Sequence, residues 1–310
     1  MTRAARLSPP VERRTVLVTG ASAGIGLATA LDLARRGMRV RIAGRDPAKL
    51  EAARSTLAAF SDDVVALRAD LSSLADVRRL AEAVLARDEP LHVLVHNAGV
   101  WHPDFRLSKD GFEDTFAVNH LAPFLLTHLL LPRMRATQGD RRIVHVSSRL
   151  HLQAGQTATL RGRAVHLLYV LGIPAGAAGA HLDWAALDRR EGYRGLEAYA
   201  RSKLAQVLFS NELARREREV TSNALHPGSV ATEVTRDDRL LHALLPLGRL
   251  VLKTPEEGAR TSVRLATDPA LAGVTGRYFA RSREAAPAAI VHDRDAAARL
   301  WALSEARTGA

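Results

Sequence analysis

A phenol and an ammonium four residues apart can do acid–base chemistry. This chain places them so at Tyr199 and Lys203, in the run Glu197-Ala198-Tyr199-Ala200-Arg201-Ser202-Lys203-Leu204. At that spacing on a helix the two side chains stand on one face. An ammonium beside a phenol favours the phenolate and lowers its pKa from a usual value of about 10. Such a tyrosine can pass a proton to or from a substrate oxygen. The spacing alone is common by chance. Its weight comes from a second pattern near the start, Thr19-Gly20-Ala21-Ser22-Ala23-Gly24-Ile25-Gly26. Glycines between a strand and a helix permit a tight turn and let backbone N–H groups approach a pyrophosphate at the helix N terminus. Together the patterns imply redox chemistry on a bound nicotinamide dinucleotide.

Cofactor choice turns on the end of the second strand. An acid there holds the ribose 2′-hydroxyl of NAD. Here the strand ends in Gly44-Arg45, and a guanidinium pairs with a 2′-phosphate instead. The expectation is NADP(H) rather than NAD. The twelve histidines show no tight ligand spacing, so no metal site is expected. His151, three residues beyond Ser148, is a candidate substrate contact.

These residues need elements to hold them. Hydrophobic periodicity predicts strands over 15–19, 40–43, 64–68, 91–96, 142–147, 222–225 and 277–280. It predicts helices over 25–36, 47–60, 74–87, 112–134, 196–216, 256–266 and 293–306. Strands alternating with helices of this length imply an α/β fold with right-handed crossovers. The expected fold is a single-domain, Rossmann-type, doubly wound parallel sheet with helices on both faces. Residues 1–14 read as a flexible basic arm and 15–310 as the catalytic, dinucleotide-binding domain.

Composition limits the remaining classes. Of 310 residues, 47% are hydrophobic and 25% charged, as in ordinary globular proteins. The absence of cysteine excludes disulfides, thiolate metal sites and cysteine nucleophiles. The net charge is +11, yet no basic run exceeds a pair and no aromatics are interleaved, so nucleic acid is not an expected partner. The longest apolar stretch, 164–180, is broken by His166, Pro174 and glycines, and stable membrane insertion is not expected. A cytoplasmic location follows as the expectation.

In order and spacing the motifs resemble the short-chain dehydrogenase/reductase family. They are Thr19–Gly26, Asp70-Leu71, Asn97-Ala98-Gly99, Asn119, Ser147-Ser148, Tyr199–Lys203 and Pro227-Gly228. Val118-Asn119-His120-Leu121-Ala122-Pro123-Phe124, Ser202-Lys203-Leu204-Ala205-Gln206-Val207-Leu208-Phe209 and Arg299-Leu300-Trp301-Ala302-Leu303-Ser304-Glu305 look like its retinol-dehydrogenase-like branch. The resemblance implies that Gly20, Ser22, Gly24, Ile25 and Gly26 cradle the cofactor phosphates. It implies that Asp70 and Leu71 flank the adenine and that Asn97, Ala98 and Gly99 lie beside the cofactor. Asn119 would hold a water in the proton relay, and Ser148 would bond the substrate oxygen. Tyr199 would be the acid/base, and Lys203 would tune it and bind the ribose. Pro227, Gly228, Val230 and Thr232 would contact the carboxamide side. The helices over 112–134 and 196–216 would pair between subunits, giving a homodimer or homotetramer.

One departure stands out. Ser148 and Tyr199 are 51 positions apart, more than the family commonly has. The excess, an atypical insertion near 152–182, borders the expected substrate pocket. A second apolar patch, 240–252, falls where the family places a mobile covering segment, so Leu240 and Leu244 are further candidate substrate contacts. The expected function is an NADP(H)-dependent oxidoreductase acting on the carbonyl or alcohol of a lipophilic or polycyclic small molecule. The alternatives are a tailoring ketoreductase of natural-product biosynthesis and a non-catalytic NADP-binding scaffold.

Overall fold

Alternate residues along the inner strands point to opposite faces of one sheet, and each face carries its own core. The computed structural model describes residues 13–155, 179–228 and 253–310. The strands are β1 (Thr15–Thr19), β2 (Arg39–Gly44), β3 (Val64–Arg68), β4 (Val93–His96), β5 (Arg142–Val146), β6 (Thr221–His226), β7 (Tyr278–Ala280) and β8 (Arg283–Glu284). Among the described residues their order is β3-β2-β1-β4-β5-β6-β7-β8. All neighbours pair in parallel except β7 and β8, which are antiparallel.

Val16 and Val18 of β1, Val93 and Val95 of β4, and Val144 and Val146 of β5 enter one core. Leu17, Leu94 and Ile143, the residues between them, enter the other. The first core is closed by α1 (Gly24–Arg35), α2 (Pro47–Ala58) and α6 (Pro255–Thr267). The second is closed by α3 (Leu74–Leu85), α4 (Asp114–Ala136), α5 (Gly195–Arg216) and α7 (Arg294–Thr308). The order reverses between β1 and β4, and ligands of doubly wound sheets bind at that switch point.

Local chemistry sets the helix starts. Asp46 accepts from the N–H groups of Ala48 and Lys49 to cap α2, with Pro47 in its first turn. Ser73 caps α3. Thr254 and Glu257 form a capping box on α6. Asp293 caps α7. Apart from β8, which the sequence did not predict, the strand and helix limits lie within two residues of those predicted.

Three features differ from expectation. First, α4 is not a uniform helix: Ala117–Leu121 is a π-turn, with Asn119 at its middle. Such turns cluster at functional sites because they redirect a side chain without ending the helix. Second, the basic arm does not extend to residue 14. Arg13 donates to Gly37 O at 3.1 Å and pairs with Asp62, and Arg14 donates to Asp140 O at 3.0 Å. Third, the apolar surplus on α4 and α5 is covered from within the chain. Trp301 of α7 lies 5.2 Å from the Phe124 ring and 5.8 Å from the Phe209 ring. Asp114–Ala136 is long and apolar enough to cross a membrane, but 83% of its apolar window is buried, as in a core helix.

Candidate active site

The glycine turn is shaped by close backbone approach. Gly20 and Gly24 have φ of +65° and +55°, which glycine adopts without strain. A Cβ at Gly26 would lie 2.3 Å from Gly20 O and 2.4 Å from Asn97 Nδ2. Asn97 fastens the turn by donating to the carbonyls of Thr19 (2.9 Å) and Gly20 (3.2 Å). The Thr19 hydroxyl accepts from the N–H groups of Asn97 and Ala98. At the start of α1 no side chain caps the helix and the first turn carries no acid. The N–H groups of Gly24, Ile25 and Gly26 therefore present the positive end of the helix dipole, a cradle that fits a pyrophosphate. Ser22 lies beside it, its Oγ 3.3 Å from where a Gly44 Cβ would stand.

The residues expected to handle the proton meet where β5 touches α5. Lys203 is 3% exposed. Its Nζ donates to Val146 O at 3.0 Å and to Gln206 Oε1 at 2.9 Å. Burial lowers its pKa to about 7. The ammonium stands 5.5 Å from the Tyr199 ring centre, as the spacing of four predicted. A Cβ at Gly99 would be 3.1 Å from Lys203 Nζ and 3.3 Å from Asn119 Oδ1, so both atoms border the small gap that glycine leaves.

The adjacent serines have separate tasks. The Ser147 hydroxyl donates to Lys203 O at 2.9 Å and ties the strand end to α5. Ser148 follows it and caps the next 3-10 turn by accepting from Leu150 N. Asn119 is a brace. Its Nδ2 donates to Val100 O and Ser202 Oγ, both at 2.9 Å, and its Oδ1 accepts from Val100 N at 2.8 Å. Three of its four hydrogen-bonding positions are thus spent within the protein.

At the adenosine end, Arg45 is exposed just beyond β2, and no hydrogen bond or ion pair reaches it among the described residues. Gly44 is paired across the sheet with Arg68, which ends β3 and is likewise exposed. Two cations therefore flank the strand ends where a 2′-phosphate would lie. The sequence carries no signal for Arg68, because only the β2–β3 register places it beside Gly44. Asp70 is held by Lys109 at 3.0 Å and by the Ser72 N–H and hydroxyl. Burial alone would raise its pKa, but Lys109 and Ser72 outweigh it and hold it below the ordinary value. Leu71 is half-buried beside the second core.

His151 is placed away from the role considered for it. The ring is fully buried, Nδ1 bonds Ser148 O at 2.7 Å, and Nε2 accepts from Ala288 N at 3.2 Å. Burial lowers its pKa to about 4. With both nitrogens used inside the fold, this neutral ring offers nothing to a substrate. Pro227 and Gly228 end the described stretch after β6, and Val230, Thr232, Leu240 and Leu244 lie outside the described residues. Of the expected insertion near 152–182, residues 156–178 lie outside the described residues. Arg149–Gln153 forms a 3-10 turn, Leu182 is buried, and His181 N donates to Ala154 O at 3.0 Å. Among the described residues no group of three His, Asp or Glu side chains could hold a metal.

A family model for short chain dehydrogenases matches residues 14–160. Polyprenol dehydrogenase of Mus musculus is 42% identical over 310 residues, covering 97% of this chain and 86% of that protein. Retinol dehydrogenase 13 of Homo sapiens is 38% identical, covering 96% and 85%. A crystal structure of an uncharacterised protein from Mycobacterium paratuberculosis matches with TM-score 0.71 at 31% identity, over 96% of this chain and 93% of the other. The Pseudomonas aeruginosa RhlG/NADP active-site complex matches with TM-score 0.63 at 27% identity, over 86% and 94%.

Proposed function

The chain belongs to the short-chain dehydrogenase/reductase family, in its retinol-dehydrogenase-like branch, and is an alcohol/carbonyl oxidoreductase; on that premise we propose that it uses NADP(H) and acts on a lipophilic alcohol or ketone in the cytoplasm. The observation that carries the cofactor choice is the pair of exposed arginines, Arg45 and Arg68, at the ends of β2 and β3, which have no ion pair among the described residues. A dianionic 2′-phosphate gains charge-assisted hydrogen bonds there, and a bare hydroxyl does not. The lipophilic substrate is favoured by the polyprenol and retinol dehydrogenases among the relatives.

The cofactor, when bound, supplies or accepts the hydride. The chain supplies position and a proton. The start of α1 would hold the pyrophosphate, and Lys203, which borders Gly99, would hold the ribose. Ser148 Oγ and Tyr199 OH donate hydrogen bonds to the substrate oxygen as negative charge develops on it. Tyr199 then gives its proton to that oxygen. Lys203 favours the phenolate left behind. Asn119 keeps the loop after β4 and the helix α5 in register around them.

Initial rates with NADPH and NADH across ketones and aldehydes of graded size test the reading. NADPH is expected to be preferred. Arg45→Gln is expected to raise KM for NADPH roughly ten- to a hundredfold, the worth of one charge-assisted bond, and to leave NADH unchanged. A wild-type preference for NADH would overturn the role of Arg45. No turnover and no NADPH binding would overturn the whole proposal.

A further inference from the structure

Lys203 is buried with no acidic partner among the described residues, so something else must keep its charge. We propose that Gln206 is a positioning residue for Lys203, whose side-chain carbonyl holds the ammonium on the cofactor side of α5 and favours its charged form. The inference rests on the oxidoreductase reading of this site.

Gln206 lies three residues beyond Lys203 on α5 and is fully buried. An ammonium only donates, so the bond at 2.9 Å fixes which end of the amide faces Lys203: Oε1 accepts. With Val146 O taking a second N–H at 3.0 Å, the third is left for the side bordered by Gly99 and Asn119. That is the side on which a ribose would lie.

The other end of the amide shows what the residue is for. Among the described residues Gln206 Nε2 is buried without a hydrogen-bond partner. A half-satisfied buried amide is a poor exchange for leucine of similar size, because the unmet donor carries its full desolvation cost. Stability alone therefore disfavours glutamine here, and the bond to Lys203 is what it provides. Among the described residues the groups around Lys203 are neutral. They are the Val146 carbonyl and His145 of β5, Gly99 after β4, Asn119 of α4 and Tyr199 of α5. Burial keeps His145 and the nearby His96 and His120 uncharged. Against this background two carbonyl dipoles are the acceptors that offset the burial of the ammonium.

The chain has four lysines, Lys49, Lys109, Lys203 and Lys253, so lysine side-chain ¹⁵N signals can be assigned and titrated in the intact protein without substrate. Lys203 is expected to titrate lower by about one unit in Gln206→Leu, which removes the acceptor. It is expected to titrate higher by about one unit or more in Gln206→Glu, which adds charge at the same place. The basic limb of kcat should move in the same two directions, with KM for NADPH within about threefold of wild type. At pH 9, where folded Lys203 is neutral in both proteins, Gln206→Leu should melt no lower than wild type, and Gln206→Met is the apolar substitute if the leucine variant does not fold. Identical Lys203 titration in folded wild type, apolar variant and glutamate variant would overturn the proposal. Absence of carbonyl turnover would instead overturn the function, leaving the titration to decide the part played by Gln206.

Discussion

Tyr199 and Lys203 are unequal partners in their exposure to water. Tyr199 is half-buried, and Lys203 is enclosed between β5 and α5. Tyr199→Phe keeps the ring but removes the ionisable oxygen. It should lower kcat by about a hundredfold or more while NADPH still binds, and near-normal turnover would reject the acid/base assignment. Lys203 makes a stability prediction with a definite sign. Its folded pKa is about 7, against an ordinary 10.5. Between those values the unfolded chain binds more protons than the folded one, so stability rises with pH through that window. Below pH 7 the full cost of burying the charge is present; above 10.5 it is gone. Lys203→Met should therefore be more stable than wild type at pH 6.5, by on the order of a few kcal/mol, and should lose most of that advantage by pH 10. Urea unfolding of both proteins at the two pH values checks it, and a pH-independent difference would mean that Lys203 keeps an ordinary pKa.

At the level of elements, the site is a joint between one strand and two helices. Ser147 ties β5 to α5, and Asn119 ties the π-turn of α4 to α5 and to the loop after β4. The inserted segment is attached at a narrow neck, where His181 N donates to Ala154 O and Gly155 N donates to Glu197 Oε1 at 2.5 Å. A neck whose ends already touch can be bridged by a few residues at little loop-closure cost. Excising residues 156–180 with a short Gly/Ser link should leave folding and NADPH binding in place. The chain removed carries Val165, Leu167, Leu168, Tyr169, Val170, Leu171 and Ile173, suited to lining a lipophilic path. The ratio of kcat/KM for bulky over small ketones should consequently change by about tenfold. An unchanged ratio would show that the segment takes no part in substrate choice.

For the molecule as a whole, α7 decides how much apolar surface is left to share. Leu300 and Trp301 are buried, and the Arg216 guanidinium stacks 4.0 Å from the Trp301 ring. With the outer faces of α4 and α5 covered in this way, light scattering at micromolar concentration should give a monomer near 33.6 kDa. Removing residues 293–310 should expose Phe124 and Phe209 and cause self-association or precipitation. A dimer of the intact chain would place the subunit contact elsewhere. The positive charge is distributed rather than gathered: Arg41 pairs with Asp63 and Glu89, Arg307 with Asp188, and Arg264 with Asp268.

The elements and most of the site were legible in one dimension, because each depends on neighbours in sequence. Helix and strand periods placed α1 to α7 and β1 to β7 to within two residues. The glycine turn and the Tyr199–Lys203 pair are defined by fixed spacings that a helix or turn converts directly into geometry. What folding alone decided involves residues distant in the chain. The sheet register sets Arg68 beside Gly44. A contact across 137 positions gives His151 Nε2 to Ala288. The bond from Ser147 to Lys203 O separates the tasks of two adjacent serines. The π-turn left no period to read, since one extra backbone residue within a helix hardly disturbs its apolar stripe. The burial of Lys203, and with it a pKa near 7, depends on how closely β5 and α5 pack. The cover that α7 lays over α4 and α5 likewise depends on where the chain returns, which no local pattern encodes.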